Sequence, residues 1–577
     1  MYFRRLFCGG LLLLAAGDLL GAANYEVAQR DPQASDDGPG TFEKPWKTLA
    51  KAAAQVKPGD KVIISDGVYR ESVVLKTSGT AEQPIRFEAA PGAEVVLTGA
   101  DQLRGWRAVE GKKHVYSIAW PYRFIGWSKH MTHPDDDYHR LIGRCEQVAV
   151  DGYLLHQVLE PGQLSPGSFF VDVSNQVLQA WDFGNRDLNQ VFVEGSTRQE
   201  ILRVEGDFVA VCGLRFRFAA NMAQHGAVAI TGRHDLLEDC VSEDMSASGA
   251  TFAGEQLTVR RCVFRDNGQI GFGANGAHGL LFTGCLVENN NTKGFSRGWE
   301  AGGDKLVLCR DAVLERSRFV RNRGNGIWFD IGNEHCTVRN CLIADNEDGG
   351  LFDEISYGLQ AHDNVIVGNG FASTAGAWGA QAGITLSSSP ESVIERNLII
   401  GNREGFDFRE QIRTTPRIGQ PREVPVWNHD ELIRHNLIAL NRDAQVWGWF
   451  DVPDNRAWPR SLADALQATN PANNTGEDQP RGLALQDLRL RFEDNVYFAA
   501  RGEGLVEWGP TWKRHKSYSS LGDFQADLGI DTGSRVLDPG FSNLAARDYR
   551  LSRETMSRLR SNYPQGPVPE CRLGVKD

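Results

Sequence analysis

CVFRDN (262–267), CLVENN (285–290), SRFVRN (317–322), CLIADN (341–346), NVIVGN (364–369), NLIIGN (397–402) and NLIALN (436–441) are seven versions of one phrase. Each has an apolar centre and closes on an asparagine: Asn267, Asn290, Asn322, Asn346, Asn369, Asn402 and Asn441. The basic step is 23 or 24 residues, with longer steps where loops intervene. A strand repeated at that period predicts a parallel β-solenoid, in which each coil buries its apolar side chains against the next. The asparagines are expected to stack at one bend, their side-chain amides bonding backbone across coils.

A glycine opens the strand after each bend: GFGAN (271–275), GFSRGWE (294–300), GIWFD (326–330), GLFDE (350–354), GITLS (383–387) and GFDFR (405–409). The residue after the glycine is apolar and so points inward; with strand alternation the fourth points outward. That fourth position holds Asn275, Gly298, Asp330, Glu354, Ser387 and Arg409. Asp353 takes an inward phase, which raises the prospect that its strand twists outward there. Asp330 and Glu354 are 24 residues apart, as are Asn322 and Asn346, so the two acids are in register on adjacent coils. Coils lie ~4.8 Å apart, which puts the carboxyls ~5 Å from each other. Carboxylates that close repel, so one takes up a proton more readily than the other. A retaining glycosidase needs such a pair at about 5–5.5 Å, one ionised and one protonated. Glu300, Lys305, Arg297 and Arg409 are expected along the same groove, with Trp328 or Trp299 stacking on a sugar ring. No cofactor is required by this chemistry, although paired carboxylates also serve Ca²⁺ sites. On a secreted sheet, outward acids are otherwise simply solvated.

The chain of 577 residues, 41% of them hydrophobic, is long enough for a large core or several domains. Its 62 glycines suit a fold that turns every few residues. Met1 to Ala23 reads as a secretory signal: Arg4-Arg5, the apolar run 11–16, then Gly21-Ala22-Ala23. The Arg-Arg pair faintly resembles a twin-arginine start, and Cys8 lies too early for a lipoprotein anchor. A secreted or periplasmic location follows, with no later segment long and apolar enough to span a bilayer. Cleavage removes Arg4, Arg5 and Asp18, one net positive charge, and shifts the formal charge from -12 to -13. So acidic a surface disfavours nucleic acid as a partner. Of the cysteines left after cleavage, Cys262, Cys285, Cys341 and Cys240 take inward positions, as stacked buried thiols rather than disulfides or zinc ligands.

The organisation read from these signals is a signal peptide (1–23) and a cap with the first coils (24–102). An inserted β-rich module (103–198), the main solenoid (199–500) and a C-terminal cap (501–577) follow. Pro45 precedes a helical pattern over 46–56 that would cover the open end of the solenoid. Strands follow at 61–64, 85–89 and 94–99. Segments 147–158, 168–173, 177–183 and 190–196 alternate as in a small β-sandwich. Within the module, His130, His133, His139 and the acids 135–137 form a loop more readily than a cation site. Gly271 to Gly276 fits G-x-G-x-x-G, but no helix follows, so nucleotide binding is set aside.

WEAGGDK (299–305), GNGIWFDIGN (324–333) and GGLFDEISYG (349–358) carry a family resemblance. They are similar to segments of the secreted right-handed parallel β-helix superfamily of carbohydrate-active enzymes, and most of all to the β-helical β-xylosidases of glycoside hydrolase family 120. The resemblance covers most of the mature chain. It implies an all-β right-handed parallel β-helix with an N-terminal capping helix and an inserted β-sandwich-like module. It also implies Asp330 as nucleophile and Glu354 as general acid/base on a poly- or oligosaccharide. Two other readings remain at this point. A polysaccharide lyase or uronate epimerase would use a base with Lys305, Arg297 or Arg409 against the substrate carboxylate. A non-catalytic glycan-binding surface protein would use the long solenoid face.

Overall fold

The computed structural model describes residues 22–124, 144–373, 381–410, 413–420, 422–450, 489–509, 516–543, 546 and 548–551. The expected signal segment and the His130–His139 stretch lie outside them. Three parallel sheets of 13 strands each run the length of the molecule. A coil is well represented by Thr337–Arg339 in the first sheet, Leu342–Ala344 in the second and Leu351–Glu354 in the third. Corresponding strands of successive coils pair without slippage: Arg318, Leu342, Val365, Leu398 and Leu437 align in the second sheet. Register is tightly specified because a one-residue slip would exchange the buried and outer faces of a strand.

Two corners set the coil shape. The turn from first to second sheet uses one residue in the left-handed region, Asn340 (φ 53°) in this coil, and the turn from second to third uses Asp345 (φ 59°). Behind the second corner stands the asparagine ladder. Asn322 Nδ2 donates to Asn346 Oδ1 at 3.0 Å, and Asn346 Nδ2 to Asn369 Oδ1 at 2.9 Å. The same oxygens accept backbone N–H groups, as Asn346 Oδ1 does from Asn322 at 3.0 Å. Every amide thus satisfies backbone that a bend would otherwise leave unpaired.

A second column lines the first corner: Cys240, Cys262, Cys285, Ser317, Cys341, Asn364, Asn397, Asn436 and Asn495, all buried. Cys285 N–H donates to Ser317 Oγ at 3.1 Å and Cys341 N–H to Asn364 Oδ1 at 3.0 Å. The eight described cysteines are all free and buried. Inside the coils, Phe252, Phe272, Phe282 and Phe319 stack through the core, with centroids 4.6–5.9 Å apart from one ring to the next.

The ends are closed. Helix Leu49–Gln55, shorter than the 46–56 pattern, is capped by Thr48 and buries Leu49, Ala52 and Ala53. Trp46 is withdrawn from the helix because its N–H bonds Glu26 O and its ring stacks on Tyr25. Helix Leu521–Leu528 closes the other end through Phe524, set against Trp508 and Tyr518. The inserted module is a sandwich of a four-stranded and a five-stranded sheet, with Trp106, Trp120, Val148, Phe169 and Leu178 between them. Among the described residues no helix is long and apolar enough to cross a membrane.

Candidate active site

The third sheet presents its outer face as two columns of side chains. Ile327, Phe329, Leu351, Ile384, Leu386, Phe406 and Phe408 lie in the core cluster, so the residues between them face outward. One column runs Val307, Asp330, Glu354, Ser387, Arg409. Its companion runs Lys305, Trp328, Phe352, Thr385, Asp407, Trp447, with Trp328 opposite Phe352 and Phe352 opposite Thr385. Asp330 and Glu354 therefore occupy the same outward station on neighbouring strands, one coil apart.

The strand expected at 294–300 begins instead at Gly302. Gly294 to Ala301 form a loop, and the strand of that coil is Gly302–Val307. Gly302 pairs with Ile270 and Lys305 with Gly273. The outward fourth station belongs to Val307, not Gly298, and Phe295 packs with Ala223 and Ala301 outside the coil core. The Gly302-Gly303 pair is the signal in the sequence that marks this later start. Gly302 has φ 123°, and a Cβ there would sit 2.5 Å from Asn325 O.

Each acid of the pair has its own cation. Lys305 Nζ lies 2.9 Å from Asp330 Oδ2, bonds Trp299 O at 2.9 Å and sits 4.0 Å over the Trp328 ring. Arg413 Nη1 contacts Glu354 Oε1. Arg413 comes from an antiparallel hairpin, Arg413–Pro416 with Glu423–Val426, inside the 411–429 insertion. Arg417 of that hairpin bonds Glu334 at 2.9 Å and lies over Tyr357, which fastens it to the corner after the third sheet.

Glu300 lies on the other side of Lys305. Its Oε2 accepts from Gln224 Nε2 at 2.6 Å, while Gln269 bonds both Glu300 O and Gln224 N. Burial pushes the Glu300 carboxyl above the usual carboxylate range, against the pull of Lys305. Asp330, Glu354, Lys305 and Glu300 thus form one group. The remaining expected residues stand elsewhere. Arg297 is taken by Glu347 and Asp348, each at 3.4 Å. Trp299 packs against the Phe295 cluster. Arg409 is buried two strands beyond Glu354. Trp328 is only 3% exposed, with Phe352 stacked at 5.5 Å and Lys305 over the ring, so it is no open platform for a sugar. Phe352 on the next coil does this, because outward neighbours one coil apart cover each other. Sequence reasoning missed Arg413, whose contact spans 59 residues. The G-x-G-x-x-G stretch is an ordinary strand of this sheet, Ile270–Asn275, followed by no helix. Among the described residues, no group of three or more His, Cys, Asp and Glu side chains is gathered to hold a metal ion.

Comparison with known proteins agrees with this architecture. Residues 213–375 and 309–415 match the family model of the right handed beta helix region, and residues 44–107 match that of chondroitinase B. A solved complex of XylC with xylose is 18% identical, with a TM-score of 0.60 over 84% of this chain and 86% of that one. The A-module of the Azotobacter vinelandii mannuronan C-5 epimerase AlgE6 is 12% identical, with a TM-score of 0.43 over 89% of this chain and all of that one, 100%. The uncharacterized protein YwoF of Bacillus subtilis (strain 168) is 41% identical over 68 residues, which span 12% of this chain and 14% of YwoF. The chain has the right-handed parallel β-helix fold.

Proposed function

We propose that the protein is a carbohydrate-active enzyme, exported from the cell, that hydrolyses glycosidic bonds with retention of configuration. The observation that carries this reading is the Asp330–Glu354 pair, two acids at one outward station of adjacent coils. The fold shared with XylC, a protein solved with xylose bound, supports a sugar as the ligand.

Asp330 suits the nucleophile. The Lys305 ammonium at 2.9 Å favours its ionised form and holds one oxygen still. Attack on the anomeric carbon forms a glycosyl ester and breaks the bond to the leaving oxygen. Glu354, about one coil spacing away, delivers a proton to that oxygen and then takes one from the incoming water. The cations of the site support hydrolysis over elimination. Lys305, Arg297 and Arg413 are each matched to an acid of the protein, whereas a lyase or epimerase needs positive charge left for the uronate.

One observation favours a second assignment of the acid. Arg413 stabilises the charged form of Glu354, while burial holds protons on Glu300. Rescue by azide separates the two. On an aryl glycoside with a good leaving group, the acid/base variant keeps its first step, and azide restores turnover as a glycosyl azide of retained configuration. Glu354→Gln is expected to behave so, and Asp330→Asn to lose turnover by about 10³-fold or more. Wild-type turnover in Asp330→Asn would falsify the proposal. Azide rescue of Glu300→Gln with an unaffected Glu354→Gln would transfer the acid role to Glu300.

A further inference from the structure

Beyond Glu354, the outer face of the third sheet carries polar atoms that the protein leaves unanswered. Thr385 Oγ1, Ser387 Oγ and Asp407 Oδ1 are buried and have no hydrogen-bond partner. Thr385 and Ser387 are 0% exposed and Asp407 is 1% exposed. All three face outward, since Ile384, Leu386, Phe406 and Phe408 between them belong to the core. The same fold satisfies hydroxyls nearby: Ser389 Oγ donates to Asp353 O at 3.0 Å, and Ser392 Oγ to Ser389 O at 3.0 Å. A dry orphan costs about 1–3 kcal/mol, so three on one patch need an external partner.

We propose that Thr385, Ser387 and Asp407 form the subsite for the sugar on the leaving-group side of Glu354, gripping a neutral ring by its hydroxyls. The inference rests on the hydrolase reading, because the acid/base marks where the leaving group begins. Asp330 defines the ring that is attacked, so the next ring extends past Glu354 along the columns. Ser387 is Glu354's partner on the following strand, Thr385 is Phe352's, and Asp407 is one strand further on. Two hydroxyls and a carboxylate oxygen offer both donors and acceptors, the pattern a diol requires. Asp407 also bonds Glu404, and burial raises both carboxyls, Glu404 to about 7. A proton kept in that pair limits the negative charge, which suits an uncharged ring. Half-buried Trp447, opposite Asp407 on the next strand, marks the far limit.

The test compares two substrates that share a glycone. Xylobiose and an aryl β-xyloside are the first pair, replaced by another disaccharide and its aryl glycoside if the wild type prefers it. In Thr385→Val/Ser387→Ala, and separately in Asp407→Asn, KM for the disaccharide should rise about tenfold or more. Kinetics on the aryl glycoside, whose leaving group has no hydroxyls to grip, should stay within about twofold. The double variant should melt no lower than wild type, since it removes orphaned groups. Unchanged disaccharide kinetics would mean that water alone satisfies these atoms, and equal loss on both substrates would place them at the attacked ring; either overturns the subsite. If the wild type cleaves nothing, the hydrolase reading fails. Calorimetric titration of xylobiose into wild type and the double variant then judges the patch alone, and equal affinities, or no binding to either, sink it.

Discussion

Asp353 and Glu354 are successive residues on opposite sides of one sheet. Glu354 faces the hairpin arginine, while Asp353 points into the coil, fully buried, with Ser392 Oγ 3.4 Å away. The strand does not twist outward there, since Phe352, Asp353 and Glu354 all stay in register with the next coil. Burial pushes the Asp353 carboxyl up to about 8, far above a free aspartate. The folded state therefore holds a proton that the unfolded chain releases near its ordinary value of 3.8. The stability tied to this group is fully present below pH 4 and is lost as pH rises toward 8. The melting temperature should fall across that range, and Asp353→Asn should remove part of the fall, by a few kcal/mol at pH 8. An identical slope in the variant would show that Asp353 ionises freely in the fold.

Among the elements, the asparagine bend has the sharpest energetic consequence. Asn346 donates to Phe319 O and Asn369 Oδ1, and accepts from Asn322 N and Nδ2. Asn346→Ala should cost about 2–4 kcal/mol in denaturant unfolding, because it orphans groups on both neighbouring coils. The hairpin predicts something different. Arg413→Ala should leave stability nearly unchanged, since that side chain is 31% exposed. The same change should move the acidic limb of a pH–rate profile upward if Glu354 is the proton carrier, because its charged form loses a partner. These two elements also show what could be read in advance. The asparagine column and the outward phase of Asp330 and Glu354 followed from a period written in the chain. Lys305 was anticipated at the groove, but its strand was placed late, because the 294–301 loop imitates the glycine-first pattern. Arg413 and the covering of Trp328 depend on which segments fold over the face, and no periodicity encodes that.

At the scale of the whole molecule, the coils behave as a one-dimensional stack with closed ends. Each coil contacts mainly its neighbours, so stability is close to a sum over interfaces and the caps protect the terminal strand edges. Phe524, fully buried against Trp508 and Tyr518, anchors the C-terminal cap. Phe524→Ala should cost about 3–5 kcal/mol. Hydrogen exchange should show that cap and the last coils opening first, and uniform loss of protection along the chain would contradict independent coils.

The stacked thiols bear on how such a molecule is made. In the finished protein they are sealed, and burial raises their ionisation, to about 12 for Cys341, so they should ignore Ellman's reagent until the fold opens. During synthesis nothing shields them, and cysteines one repeat apart are mismatched partners waiting to cross-link. Air-oxidised refolding from urea should therefore yield tangled, inactive chains, and the same dilution with dithiothreitol should restore the native protein. Winding must outrun oxidation wherever this chain is assembled.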